Sequence, residues 1–307
     1  MTIMVTGASG LIGSHLCRRL VSEGYPVVGL VHDTVNPRLL GITAAQPLEI
    51  ERGDITNPYT ISEIIRRYNI KTVFHLAAHV PYRNNPDFVG ANTVGTRNML
   101  LTCLRSEVKD FIYTSSISVY SSPPCYLPVD ENHPTDPKDE YGRTKLYGEL
   151  ACGLMPDQMV TAIVRYSGVY GLGMADRVIA YLVRASLHNE PIPIYGDGNN
   201  SADFVYIDDA VEGAILAWRK HKKETYNIGS GQEITIADLA HKIIDLTKSK
   251  SEISFTGDSC ECSRFVASIH KARTELGYSP HSIDDGLRLY VEAKVKSETE
   301  EKKWLIH

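Results

Sequence analysis

The segment Gly7-Ala8-Ser9-Gly10-Leu11-Ile12-Gly13 constrains this chain more than any other. It follows directly on the apolar run Ile3-Met4-Val5 and leads into an amphipathic stretch, so the order is strand, glycine turn, helix. Glycine has no Cβ, which permits a tight turn, close approach of backbone amides to an anion, and close packing of helix on strand. The helix dipole adds a favourable potential at the same point. The context predicts a cradle for the pyrophosphate of a dinucleotide. Turns of this kind also serve purely structural ends, so the residues downstream must decide.

Short β-branched runs recur along the first half: Ile3 to Val5, Val27 to Val31, Thr72 to Leu76, Phe111 to Thr114 and Val160 to Val164. They alternate with helical patterns near 11 to 23, 57 to 68, 88 to 105 and 140 to 153. Alternation of this type predicts an α/β fold with a doubly wound parallel Rossmann sheet. After about residue 168 the composition shifts toward Gly, Pro, Asn and Asp, as in Glu190 to Asn200, which reads as loops and short strands of a smaller C-terminal substrate-binding lobe. The expected division is 1–168 for the dinucleotide-binding core and 169–307 mainly for the lobe. A return to the core is expected near 203–220, where Asp203 to Asp209 reads as a strand running into a helix from Ala210 to Lys220. The charge-dense stretch Glu292 to Lys303 reads as a solvated terminal helix with Trp304 beyond it.

At 307 residues, with 43% hydrophobic and 22% charged residues, the chain can bury a sizeable core and is not of disordered composition. A formal net charge of -5 offers no cationic excess for a phosphate backbone, so nucleic acid is not an expected partner. No apolar stretch approaches the roughly 20 residues that cross a bilayer, and no leader pattern precedes the glycine turn. A cytoplasmic protein with no membrane partner is expected. Of the six cysteines, Cys260 and Cys262 alone suggest a metal. No second Cys/His pair stands at zinc-ligand spacing, so no metal and reduced thiols are expected.

Tyr141 and Lys145 stand four apart at the start of a predicted helix, which puts both on one face. A tyrosine with the ordinary pKa of ~10 needs about 4 kcal/mol of differential stabilisation to ionise at neutral pH. One positive charge about 5 Å away, at an effective dielectric of about 20, supplies roughly 3 kcal/mol of it. Such a pair is common on helix surfaces. Preceded by Ser116 at the end of a predicted core strand, it becomes a candidate catalytic set.

These segments, with Gly53-Asp54-Ile55, Val73 to Ala78, Asn92 with Gly95-Thr96, Thr114 to Tyr120, Gly196-Asp197-Gly198, Asp203 to Asp209 and Lys271 to Pro280, resemble the extended short-chain dehydrogenase/reductase family. That family includes NAD-dependent nucleotide-sugar epimerases, dehydratases and reductases. The resemblance covers nearly the whole chain. It implies that Gly7, Gly10, Leu11, Ile12 and Gly13 hold the dinucleotide, that Asp54 accepts from the adenine amino group beside Ile55, and that Leu76, Ala77 and Ala78 lie along the ribose and phosphates. Asn92 is implied to support the region of the lysine. Tyr141 and Lys145 are implied to serve both cofactor and catalysis, and the Ser116 hydroxyl to bind the substrate oxygen and share the proton. At the end of the second strand, where members that prefer NAD carry an acid, this chain has Val31, His32 and Asp33. NAD is expected, with Asp33 on the ribose; Arg38 offers NADP an alternative partner.

The resemblance further implies oxidation of a sugar C4 hydroxyl to a 4-keto sugar. Dehydratases of the family carry an Asp-Glu pair after the catalytic hydroxyl, where this chain has Ile117 and Ser118. A nucleotide-sugar 4-epimerase is therefore expected. The alternatives are an NADPH-dependent 4-keto-sugar reductase and a catalytically silent dinucleotide-binding sensor or scaffold. Two departures touch the substrate: glycine stands at 168 where an asparagine is common, and Ala202 precedes Asp203 where an arginine is common. Arg264 is the remaining diphosphate candidate, with Arg177 or Arg184 able to contribute, and Tyr195 is a further substrate-binding candidate. A homodimer through the stretches Phe88 to Arg105 and Glu140 to Gly153 is implied.

Overall fold

Twelve strands and eight α-helices are built by the described residues of this computed structural model, which are 1–32, 48–81, 87–174, 177–257 and 263–304. The strands are β1 (Thr2–Thr6), β2 (Val27–Val31), β3 (Leu48–Arg52), β4 (Ile70–His75), β5 (Asp110–Ser116), β6 (Val160–Tyr166), β7 (Gly168–Tyr170), β8 (Ile192–Tyr195), β9 (Ser201–Tyr206), β10 (Thr225–Ile228), β11 (Glu233–Thr235) and β12 (Ile253–Thr256). The helices are α1 (Leu11–Ser22), α2 (Pro58–Arg67), α3 (Thr96–Arg105), α4 (Glu140–Gly153), α5 (Val178–Leu187), α6 (Ile207–Lys220), α7 (Ile236–Thr247) and α8 (Ile283–Trp304).

The central sheet has seven strands in the order β10-β6-β5-β4-β1-β2-β3, and every neighbouring pair is parallel. From β1 the chain winds to β2 and β3 on one side, then to β4, β5 and β6 on the other. The strand order therefore reverses between β1 and β4, and a parallel sheet opens a crevice at the carboxyl ends of its strands there. Both faces are buried, as continuous apolar strands require. Ile3 and Val5 join the cluster with Leu16, Leu20, Phe74 and Trp218, and Met4 joins the opposite one with Ile61, Met99, Phe111 and Tyr113.

Two strands of this sheet escape the sequence reading. In β3, Leu48 and Ile50 alternate with Glu49 and Glu51, as suits an edge strand. In β10, four residues including Asn227 pair with β6 at the opposite edge. The predicted return to the core divides in the same region. β9 joins β7 and β11 in a small sheet, whereas α6 packs on the large one through Trp218 against Phe74. β8 and β12 form a separate parallel pair.

The predicted helix 88 to 105 is interrupted. Phe88–Gly95 is a π-helical segment, capped by the Asp87 side chain accepting from the Gly90 amide at 2.7 Å, and α3 begins at Thr96. The terminal helix starts at Ile283 and includes Trp304. Among the described residues no helix is long and apolar enough to cross a membrane. Cys17, Cys103 and Cys152 are buried free thiols, whose pKa values burial raises, and Cys125 is an exposed one. Cys260 and Cys262 lie outside the described residues, and among those described no cluster of His, Cys, Asp and Glu could hold a metal.

Candidate active site

Gly7 ends β1 with φ +67°, and a Cβ there would lie 2.9 Å from the Ala77 nitrogen. At Gly13 a Cβ would lie 2.2 Å from the Gly7 carbonyl oxygen, so α1 presses onto the turn as only glycine permits. Gly10 caps α1 without a side-chain hydrogen bond, and no acidic residue sits in the first turn. Ser9 Oγ is buried and has no partner among the described residues. Uncapped amides, an orphaned hydroxyl and the positive end of a helix dipole fit a bound pyrophosphate. Leu11 and Ile12 open the helix beside it.

The rest of the crevice comes from β2, β4 and the loop after β3. His32 Nε2 lies 3.6 Å from Asp54 Oδ2, and both are well exposed. Burial raises the Asp54 pKa, but hydrogen bonds from Thr56 and the neighbouring His32 outweigh it and hold the carboxylate below its usual range. Ile55 is buried against Gly95, where a Cβ would lie 2.5 Å from Ile55 Cδ1. The amides of Leu76 and Ala77 donate to Thr6 Oγ1 at 3.1 and 3.0 Å, which ties the ends of β4 and β1 together, and Ala78 follows. Asp33 and Arg38 lie outside the described residues.

Ser116 closes β5. Its Oγ accepts from the Ser118 amide at 3.1 Å and donates to Ser118 Oγ at 3.1 Å, capping the short turn Ile117–Val119. Strand alternation sends its neighbour Ser115 the other way, where it donates to Glu149 at 2.5 Å. The first turn of α4 packs against that short turn: a Cβ on Gly142 would lie 2.3 Å from the Ser118 carbonyl oxygen. Asp139 caps the helix by accepting from the Gly142 amide at 2.6 Å. Ser116 and the Tyr141–Lys145 turn are thereby brought to one place.

Tyr141 is half-buried, with its ring centre 6.1 Å from that of Phe88. Lys145 is 3% exposed, and its Nζ sits 4.5 Å from the centre of the Tyr113 ring. Burial pulls its pKa down to about 8, although Glu149 one turn later acts to raise it. A buried cation this close to losing its proton responds strongly to any charge placed beside it. Asn92 is buried, accepts from the His79 amide at 2.8 Å, and donates to the His79 carbonyl and to Thr144 Oγ1. It therefore clamps the loop after β4 to the residue before Lys145.

The sequence reading missed the network beneath this cluster. Glu149 accepts Arg165 through Nε at 2.9 Å and Nη2 at 2.6 Å, and both side chains are under 10% exposed. Arg165 also donates to Tyr120 Oη at 2.9 Å, which donates to Asn227 at 2.6 Å. The one signal in the sequence is spacing, since Glu149 lies four after Lys145 on the same helix.

The substrate candidates lie on the small sheets and on the loop and helix beside them. Tyr195 ends β8, 72% exposed, beside Gly257. Arg264 is held bidentately by Glu233 of β11, at 2.7 and 2.8 Å. Arg184 pairs with Glu190 on the surface, and Arg177 caps α5 with its backbone. At Gly168 a Cβ would lie 2.6 Å from Phe204 Cδ1, so the space of an asparagine is already taken by an aromatic ring.

A doubly wound sheet, a glycine turn at its switch point and a Ser, Tyr and Lys set beside it define a dinucleotide-dependent enzyme of the extended short-chain type. Residues 3–229 match the model of the NAD dependent epimerase/dehydratase family, and the chain belongs to that family. It is 30% identical to the UDP-glucuronate 4-epimerase of Thermodesulfobacterium geofontis, over 93% of each chain. Its fold matches the UDP-glucose 4-epimerase of Thermotoga maritima, determined with UDP-glucose, with TM-score 0.87 and 27% identity over 97% of this chain and 99% of that one. It also matches the UDP-glucuronic acid 4-epimerase of Bacillus cereus, determined with UDP-glucuronic acid and NAD, with TM-score 0.83 and 31% identity over 95% and 98%. The cofactor is NAD, and the crevice between β1 and β4 fits it.

Proposed function

We propose that this enzyme is a UDP-sugar 4-epimerase that uses Ser116, Tyr141 and Lys145 on the sugar C4 position. The observation that supports the reading is the Lys145 ammonium, buried on the Tyr113 ring one turn after Tyr141, on a helix whose first turn packs against the short turn that Ser116 caps. Tyr141 takes the proton of the C4 hydroxyl, Lys145 stabilises its phenolate, and Ser116 holds the same oxygen. NAD, when bound in the crevice, would supply the hydride acceptor and donor for C4. Tyr141 then gives the proton back to the epimeric alkoxide.

Ile117 and Ser118 support epimerisation over dehydration, because neither side chain is suited to move a proton at C5 or expel water from C6. The relatives' UDP-sugars supply the nucleotide, and Arg264 with Tyr195 is the proposed substrate side. We further propose residues 1–168, with the return near 203–220, as the dinucleotide-binding part and 169–307 as mainly substrate-binding. A homodimer is proposed through Phe88 to Arg105 and α4, where Val89, Val94, Tyr147, Leu150 and the following Leu154 are all exposed apolar side chains.

A substrate carrying deuterium at C4 tests the chemistry. An epimerase returns the label to C4 of the other isomer. Loss of the label to free cofactor assigns a reductase instead, and solvent hydrogen at C5 assigns a dehydratase.

A further inference from the structure

A line of buried polar groups that the proposed mechanism does not use runs behind the catalytic candidates. Thr6 Oγ1 accepts from the amides of both Leu76 and Ala77, which occupies its lone pairs. Its own hydrogen is left for His75 Nδ1, 2.9 Å away. His75 therefore carries its proton on Nε2, which donates to Thr96 Oγ1 at 3.1 Å. Thr96 lies close enough to Tyr113 to pull against the burial that raises its pKa, and Tyr113 Oη donates to the Lys145 carbonyl at 3.3 Å. The direction of each hydrogen from Thr6 to Thr96 follows from the two amides at the start.

Tyr113 is fixed on all sides. The His75 ring stacks on it at 6.1 Å and 23°, and the Lys145 ammonium sits over its ring at 4.5 Å. A Cβ on Gly148 would lie 2.1 Å from its Oη, so α4 keeps a glycine there to admit the hydroxyl. His75 stays neutral, since burial first and the Lys145 charge second push its pKa down to about 3.

We propose that Thr6, His75, Thr96 and Tyr113 form a positioning relay, which fixes the aromatic face under Lys145 and so sets how strongly Lys145 stabilises the Tyr141 phenolate. The proposal rests on the reading of Tyr141 and Lys145 given above. The titratable groups that act on the ammonium are Glu149 and Cys152 on its own helix, Tyr113 on β5 and His75 on β4, with Tyr141 one turn earlier on the helix and Arg165 of β6 paired to Glu149. A change at Thr96 keeps each of these groups and removes only the hydroxyl between the His75 ring and Tyr113.

The test is an ultraviolet tyrosinate titration of the full, NAD-loaded chain, with each protein compared with its Tyr141→Phe counterpart to isolate the ionisation of Tyr141. Thr96→Val keeps the shape and removes the hydroxyl, and Thr96→Ser restores it. The Tyr141 midpoint is expected to rise by about one pH unit in Thr96→Val, the scale of a weakened desolvated cation–π contact, and to return in Thr96→Ser. Equal midpoints in Thr96→Val, Thr96→Ser and the unaltered chain overturn the relay. Tyr113→Phe, which keeps the ring and loses Oη, is the second variant should Thr96→Val not retain NAD, and an unmoved midpoint there has the same force. A midpoint that Lys145→Ala leaves unchanged overturns the catalytic reading itself, and the relay with it.

Discussion

The Phe204 ring occupies the place of a side chain at Gly168: its Cδ1 lies 2.6 Å from where the Cβ would be. The glycine and the phenylalanine stand opposite each other in the β7–β9 pairing, so the missing asparagine is a matter of packing between two strands. Gly168→Asn is expected to destabilise the protein by about 1–3 kcal/mol through overpacking, without tightening substrate binding. Adding Phe204→Val should recover most of that loss. Thermal denaturation of the single and double variants checks both; a fully stable single variant contradicts the packing account.

Lys145 couples stability and activity with opposite signs. Its folded pKa of about 8 lies below the ordinary value of 10.5, so from pH 8 to 10.5 the unfolded chain binds the proton that the native one has lost, and stability rises with pH across that window. Below pH 8 the buried charge costs on the order of 3 kcal/mol. Lys145→Met is expected to raise the denaturation midpoint at neutral pH and to lower turnover by about a hundredfold, the loss of roughly 3 kcal/mol of phenolate stabilisation. Turnover of the unaltered enzyme should fall as pH rises through about 8. A denaturation midpoint lowered by the substitution would count against the buried-charge reading.

The buried Glu149–Arg165 pair holds the back of α4 to β6. Removing one partner leaves the other charge buried and unpaired, so Glu149→Ala is expected to cost about 3–5 kcal/mol. Replacing both residues with Met should cost much less. A urea denaturation cycle measures the coupling, and additive single losses would show that the two groups act independently.

Arg264 and Glu233 form an exposed bidentate pair on the side proposed for substrate. Freeing the guanidinium with Glu233→Gln is expected to lower KM for a UDP-sugar several-fold at constant kcat, and Arg264→Ala to raise it about tenfold, one lost charged hydrogen bond being worth about 1.5 kcal/mol or more. Steady-state kinetics decides. An unchanged KM in both variants removes Arg264 from the substrate site.

Leu150 is 63% exposed and Leu154 81% exposed at the end of α4. The unaltered chain is expected to scatter light as a dimer and Leu150→Glu as a monomer, because a charge at the centre of an apolar contact loses its water. A monomeric unaltered chain contradicts this assignment.

What the sequence reveals here is local. Gly7 to Gly13 and the Tyr141–Lys145 spacing are set within single turns, so their pattern pointed to a glycine turn before a helix and to a helix start near 140. The relay escaped because Thr6, His75, Thr96 and Tyr113 meet only when β1, β4, α3 and β5 pack together, and no period in the chain records such a meeting. β3 was hidden by its alternating glutamates, and β10 by its brevity and Asn227, whose side chain is spent on the Val129 carbonyl. Arg264 looked available as a cation because Glu233, thirty-one residues earlier, comes to it only through β11.

The most direct measurement is to release and identify the bound dinucleotide, then to incubate the intact protein with UDP-glucose, UDP-galactose and UDP-glucuronate while following both C4 isomers and cofactor absorbance. Bound NAD, interconversion of one pair of isomers and no net change in cofactor are expected. Stoichiometric oxidation of added NADPH by a 4-keto sugar, or bound NAD with no turnover of any of them, would contradict the assignment.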